Sequence, residues 1–189
     1  MDHIVLASQS PRRKQLLEWA EVKFEVMVSQ SDETFPAGME ADDVAIHIAR
    51  NKALAVCEKR QDNSVVIAAD TIVVLGEEII GKPRDAKDAV DILSRLAGHK
   101  HRVITGVAII KGKEVIEFAD TTEVWFHELT QDQIAYYVEK YQPFDKAGAY
   151  AIQEWIGVVG ISRIEGDFYN VMGLPVSRVV NVLGMLGAI

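Results

Sequence analysis

Asp70 and Thr71 interrupt the most apolar stretch of this chain, SVVIAADTIVVL over residues 64–75. A carboxylate in a buried strand is costly unless it is paired, hydrogen-bonded or bound to a cation. Asp70 therefore reads as a catalytic base, a metal ligand, or a structural acid satisfied by neighbouring N–H groups. Lys52 stands on an apolar stripe, four residues from both Ile48 and Val56. Its ammonium either snorkels to the surface or is aimed into a polar cleft. Glu33 falls in the acidic loop SQSDETFPAG, residues 29–38. Alone it is a solvated acid. Paired with Asp70 it completes a site for magnesium, which takes one or two carboxylates plus waters and substrate phosphates.

A second group of cations gathers where helices and turns begin. In VLASQSPRRK, residues 5–14, Ser8 and Ser10 are N-cap types and Pro11 suits the first helical position. Arg12 and Arg13 then fall in the first turn, where the helix dipole opposes positive charge. They either point into water or meet an anion that the helix N-terminus and two guanidiniums hold together, as a phosphate site would. GEEIIGKP, residues 76–83, nearly matches a P-loop. Pro83 in place of the magnesium-binding hydroxyl, and Ile79-Ile80 reading as a strand, exclude that assignment. Lys82 remains as a turn lysine that is exposed or meets an anion. In DKAGAY, residues 145–150, Asp145 and Lys146 precede a small-residue turn leading to Gln153. The amide of Gln153 can hydrogen-bond the edge of a base through both its groups. The histidines show no metal-ligand spacing. His99 and His101, flanking a lysine, are expected in solvent, and Tyr136-Tyr137 are expected to pack.

These residues need elements to position them. A short strand over His3–Leu6 leads to a helix from about Ser10, with Leu16, Leu17 and Trp19 on its apolar face. Lys23–Val28 reads as a strand, and residues 41–59 as a helix with Val44, Ile48 and Val56 on one side. Ser64–Leu75 is a buried central strand with a return at Ile79-Ile80. Asp85 caps a helix through Leu96 that Gly98 ends, and His101–Ile110 and Glu114–His127 are strands joined at Lys111-Gly112-Lys113. Thr130 with Gln133 forms a capping box for a helix to about Lys140. Val158–Ile164 and Phe168–Met172 read as a hairpin around Glu165-Gly166-Asp167, and Pro175 opens a C-terminal helix. The mixture of βα units and antiparallel pairs implies an α/β fold, a mixed sheet with flanking helices, over one domain spanning residues 1–189.

Composition sets limits on partners. A formal net charge of −8 argues against nucleic-acid polymers and anionic membranes as partners. Cys57 is the only cysteine, so no intramolecular disulfide forms, which suits a reducing cytoplasm. MDHIVLAS has neither the charged nor the long apolar region of a signal peptide, and no 18-residue apolar stretch is present.

SQSPRR, AADT, GKPRD, DKAGAYAIQ and GDFYNVMGLP, in that order from residue 4 to about residue 180, together resemble the Maf-like nucleoside triphosphate pyrophosphatases. The resemblance implies a fold similar to inosine triphosphate pyrophosphatases, with two lobes around a central cleft. It implies hydrolysis of a nucleoside triphosphate to the monophosphate and pyrophosphate with a divalent cation, Mg²⁺ or Mn²⁺. Asp70 matches the family's proton acceptor. Arg12, Thr71 and Gln153 match positions tied to base choice, and their identities look like the branch acting on dTTP and UTP rather than on 7-methyl-GTP. Glu154-Trp155 stands where glycines are more usual, a departure that bears on the base pocket.

The expected division of labour follows. Lys52 and Lys82 join Asp70 as catalytic residues. Ser8, Arg12, Arg13, Thr71, Asp145, Lys146 and Gln153 bind substrate, and Glu33 with Asp70 holds the metal. A homodimer is the expected assembly. A different class stays open, since the family is also associated with septum formation: a nucleotide-binding regulator of cell division whose turnover is slow, distinguished by rates far below those of ordinary enzymes. A phosphatase releasing orthophosphate is distinguished by its product.

Overall fold

The computed structural model of the chain describes residues 2–60 and 62–189. Strand β1 (Ile4–Leu6) is fully buried and leads to helix α1 (Pro11–Trp19). Ser10 is the N-cap, its hydroxyl accepting the Arg13 N–H at 3.5 Å, with Pro11 at the first helical position. Leu16 and Leu17 are buried, but Trp19, at the last helical position, is 59% exposed, so the apolar face ends at Leu17, two residues earlier than expected. Strand β2 shrinks to Glu25–Val26. It is an exposed edge strand, and three-residue β1 offers it few partners: Val5 pairs with Glu25 and Leu6 with Val26, in parallel.

Helix α2 (Ala41–Arg60) buries Val44, Ile48 and Val56 as their spacing requires. Ala49, Ala53 and Val56 pack against Val5, Ala7, Val66, Ala68, Ala108 and Ile110. Small side chains on the helix bring its backbone close to the sheet. At Gly106 the approach is closest, because a Cβ there would overlap the Ala45–Ile46 peptide.

Strand β3 (Val65–Leu75) runs parallel to β1 and turns at Gly76 into antiparallel β4 (Glu78–Ile80). A strand at Glu78–Ile80 removes the phosphate-cradling loop that a P-loop requires. Asp85 caps α3 (Ala86–Leu96) by accepting the Asp88 N–H at 2.8 Å. Strands β5 (Lys100–Lys111) and β6 (Glu114–Phe126) follow, then α4 (Gln131–Tyr141) behind the Thr130–Gln133 capping box.

The expected hairpin over 158–172 does not form. Trp155–Gly160 is helix α5, Ile161–Glu165 is strand β7 paired antiparallel with β6, and Phe168–Met172 is helix α6. Helix α7 (Val176–Met185) begins after Pro175. The seven-stranded mixed sheet has the order β2-β1-β3-β5-β6-β7, with β4 on β3. Among the described residues no helix is long and apolar enough to cross a membrane.

The chain divides into two compact units. The first comprises residues 1–71, 105–120 and 173–189, and the second residues 72–104 and 121–172. The boundary cuts β3 between Asp70-Thr71 and the strand's second half.

His101 belongs to the core of the second unit and is not solvated. It is 1% exposed, packed edge-on against Phe126 and Tyr150, with its Nε2 at 2.6 Å from the Tyr150 hydroxyl and its Nδ1 buried without a hydrogen-bond partner. Burial pushes its pKa down to about 4 from the ordinary 6.5. The unfolded imidazole binds a proton near pH 6.5 and the folded one only near 4, so stability falls as pH drops through that window. The expected loss from this group is about 3 kcal/mol, measured by urea unfolding at pH 7 and pH 4. His101→Gln should flatten that part of the profile, and equal slopes in both proteins would contradict the assignment.

Candidate active site

The first unit collects two clusters around the Asp70-Thr71 step in β3. In one, Arg13 is 9% exposed, and its guanidinium points away from solvent. Its Nε donates to the Gly173 carbonyl at 2.7 Å, Nη1 to Ser8 Oγ at 3.1 Å, and Nη2 to Thr71 Oγ1 at 3.0 Å. Thr71 Oγ1 is also 2.9 Å from Thr105 Oγ1. Burial pushes the Arg13 pKa down to about 10, opposed by the Asp70 charge, so the guanidinium stays protonated at neutral pH. The first-turn arginine thus reaches back across the helix N-terminus to three oxygens, on Ser8 just after β1, on Thr71 of β3 and on Gly173. Gly173 has φ +125°, and a Cβ there would lie 3.6 Å from Arg13 Nε and 3.7 Å from Thr71 Oγ1. Arg12, one residue earlier, is half-buried.

In the other cluster, Lys52 extends from α2 to Asp70. Its Nζ donates to Asp70 Oδ1 at 2.7 Å and lies 2.9 Å from Glu33 Oε1. Snorkelling is therefore not what Lys52 does: its side chain is 19% exposed and Asp70's is 16%. Glu33 is brought in by a turn that Asp32 organises. The Asp32 carboxylate accepts the Thr34 N–H at 2.8 Å and the Thr34 hydroxyl at 2.7 Å. Those bonds, the backbone one foremost, hold its pKa below the usual carboxylate value.

Two carboxylates that converge on one ammonium nitrogen also fit a divalent cation. Among the described residues no group of three or more His, Cys, Asp or Glu could hold a metal. An ion held by Glu33 and Asp70 would take its remaining ligands from water and phosphate oxygens, the habit of Mg²⁺ rather than of zinc.

The second unit holds the other candidates. Lys82 is exposed on the bend after β4, and Gln153 is exposed in the turn before α5. The Gly148 N–H donates to the Gly81 carbonyl at 3.2 Å, tying the GKP bend to the DKAGAY turn. Gly148 has φ +70°, and a Cβ there would meet Val73 Cγ2 at 2.8 Å, so both backbone and space demand glycine. Lys146 is 9% exposed, with Nζ at 2.9 Å from Asp145 Oδ1 and 3.7 Å from Glu154 Oε1. Tyr137 is fully buried, as expected of a packing residue.

Sequence reasoning missed Gly173, Thr105 and Asp32 as site residues. Gly173 lies in the GDFYNVMGLP motif and Asp32 beside Glu33, so each had a local signal. Thr105 had none beyond being a hydroxyl in an apolar strand.

A dTTP/UTP pyrophosphatase of Cytophaga hutchinsonii is 48% identical over 180 residues, covering 95% of this chain and 82% of the relative. A dTTP/UTP pyrophosphatase of Porphyromonas gingivalis is 46% identical over 187 residues, covering 97% of this chain and 94% of the relative. A HAM1 protein from Coxiella burnetii has a similar fold, with a TM-score of 0.51 over 98% of this chain and all of that one at 14% identity. The family model described as Maf-like protein matches residues 3–186. A match over nearly the whole length, with relatives close to half identical, establishes that the chain belongs to the Maf-like protein family.

Proposed function

We propose that this chain hydrolyses dTTP and UTP to the monophosphate and pyrophosphate, clearing such nucleotides from the cellular pool. The observation that carries the proposal is the Glu33–Lys52–Asp70 cluster, two carboxylates converging on one cation, directly beside the Arg13–Thr71 pair. Phosphoryl transfer asks little of a protein beyond placing charge and a nucleophile, and this cluster gathers one ammonium and two carboxylates for that task. The names of the relatives support the choice of nucleotide.

In this reading Asp70 accepts the proton of the water that attacks the α-phosphorus. Lys52 orients Asp70 through its hydrogen bond to Oδ1, and its ammonium is available to the phosphates. Arg13, with three of its N–H groups engaged, fixes Ser8 and Thr71 more than it reaches outward. In the first unit Arg12 and Thr71 are the residues proposed to read the base, and in the second unit Gln153 is. Lys82 and Lys146 are the cations the second unit offers an anion. Mg²⁺ or Mn²⁺ between Glu33 and Asp70 would supply Lewis-acid neutralisation of charge developing on the phosphates. A cytoplasmic location and a homodimer, read by light scattering, belong to the same proposal. The regulator reading is not favoured, because relatives along nearly the whole chain carry the name of a hydrolytic activity.

The test is to incubate the protein and Mg²⁺ separately with dTTP, UTP, CTP, ATP, GTP and 7-methyl-GTP and to quantify pyrophosphate and orthophosphate. Pyrophosphate from dTTP and UTP above all others is expected. Pyrophosphate mainly from a purine would overturn the base assignment and leave the chemistry. In the same assay Gln153→Glu should change the order of preference among bases more than the rate on the best substrate. An unchanged profile would show that Gln153 does not read the base.

A further inference from the structure

Glu154 occupies a position where the family resemblance leads one to expect glycine, and the structure gives its carboxylate two partners. The Tyr137 hydroxyl donates to one of its oxygens. The other oxygen lies 3.7 Å from Lys146 Nζ. Tyr137 is itself immobilised. Its ring is fully buried and stacked on Tyr141 with centroids 4.9 Å apart, and its hydroxyl accepts the Ala151 N–H at 3.3 Å. One phenol therefore fixes both the Glu154 side chain and the backbone two residues before Gln153.

Lys146 has a choice of acids. Asp145 is its neighbour in sequence at 2.9 Å, but that side chain is 61% exposed. The Glu154 side chain is 22% exposed and anchored. An exposed acid moves with its solvent and holds a lysine poorly, since surface pairs contribute little to order. The anchored carboxylate is the one that confines the ammonium. An ammonium already confined loses less side-chain freedom when an anion arrives.

We propose that Glu154 is a positioning residue for substrate: through its bond to Tyr137 it confines the Lys146 ammonium, and so sets how tightly this chain holds its nucleotide. The proposal rests on the pyrophosphatase reading above. It differs from a role for Glu154 as competitor, in which the carboxylate would take Lys146 away from the phosphates and weaken binding.

Glu154→Gln keeps the volume and an acceptor for Tyr137 but removes the charge that holds Lys146. The expected result is a KM for dTTP and UTP raised roughly five- to tenfold, the cost of ordering one freed lysine, with kcat within about twofold. In a Lys146→Met background the same substitution should change KM by less than about twofold, because the residue it acts through is gone. An unchanged or lowered KM for Glu154→Gln, or an equal factor in both backgrounds, would overturn the proposal. If the wild-type protein binds dTTP yet releases no pyrophosphate, the activity fails instead, and the same comparison is made on the Kd for dTTP by calorimetry.

Discussion

Asp70→Asn should lower kcat on dTTP by roughly a thousandfold while leaving the folded protein intact. The size follows from what the substitution removes. A positioned general base contributes about 10² to 10⁴ in rate. Asparagine is nearly the same shape, and its amide oxygen can still accept from the Lys52 ammonium, which donates to Asp70 Oδ1 at 2.7 Å. What asparagine cannot do is accept a proton from water or share a cation's charge with Glu33. Circular dichroism and the thermal midpoint should therefore match wild type. A variant that kept more than about a tenth of the wild-type kcat would remove Asp70 from the catalytic role, because no general-base assignment tolerates so small a loss. Glu33→Gln should cost less, since Glu33 is 56% exposed and carries no proton in the proposed step.

Arg13→Ala has the second large effect, and it falls on stability and activity together. Each of three hydrogen bonds from a charged donor contributes about 1.5–3 kcal/mol. Burial of the guanidinium opposes them, as the lowered pKa of Arg13 records. The bonds outweigh the burial cost, and alanine would in addition leave the Gly173 carbonyl only the longer 3.4 Å contact from Thr71 Oγ1 and the Ser8 hydroxyl only the Ser10 N–H. A net loss of about 3 kcal/mol is expected, which for a chain of this size lowers Tm by roughly 6–12 °C. Ser8 and Thr71 would lose their fixed positions, so kcat/KM should fall at temperatures where the variant is fully folded. Arg13→Lys should recover little of either, because one ammonium cannot meet three acceptors set around a planar fork. Full activity in Arg13→Lys would show that only the charge matters.

Much of this architecture is written locally. Ser10-Pro11, Asp85 and the Thr130–Gln133 pair start their helices where cap chemistry says they should. The carboxylate in β3 and the lysine on the apolar face of α2 find each other, and that pairing follows from neither element alone. The segment 154–172 shows where local reading stops. Val158-Val159 are β-branched, yet they fall in α5, with Val158 80% exposed. A six-residue helix is too short to show a period. Gly157 lets it close, since a Cβ there would overlap the Ile152 carbonyl. In α6 the signal was present and outweighed. Asp167 accepts the Tyr169 N–H at 2.7 Å, a turn-starting bond that an aspartate before an aromatic run can announce.

The site divides the same way. Residues on one motif, such as Asp145 with Lys146, were legible because sequence neighbours stay neighbours. Thr105 joins Thr71, and the Gly173 carbonyl joins Arg13, only because β5 and the turn before α7 return to the same place. His101 was misplaced because its charged neighbour Lys100 suggested solvent, whereas alternation along β5 turns successive side chains to opposite faces. Lys100 is exposed and His101 is buried, as that period requires.

Hydrolysis of dTTP by the wild-type protein in ¹⁸O-water, with the products separated and weighed by mass spectrometry, tests attack at the α-phosphorus directly. The expected products are thymidine monophosphate carrying one ¹⁸O and unlabelled pyrophosphate. Thymidine diphosphate with labelled orthophosphate, or label in the pyrophosphate, would place the attack elsewhere and contradict the role assigned to Asp70.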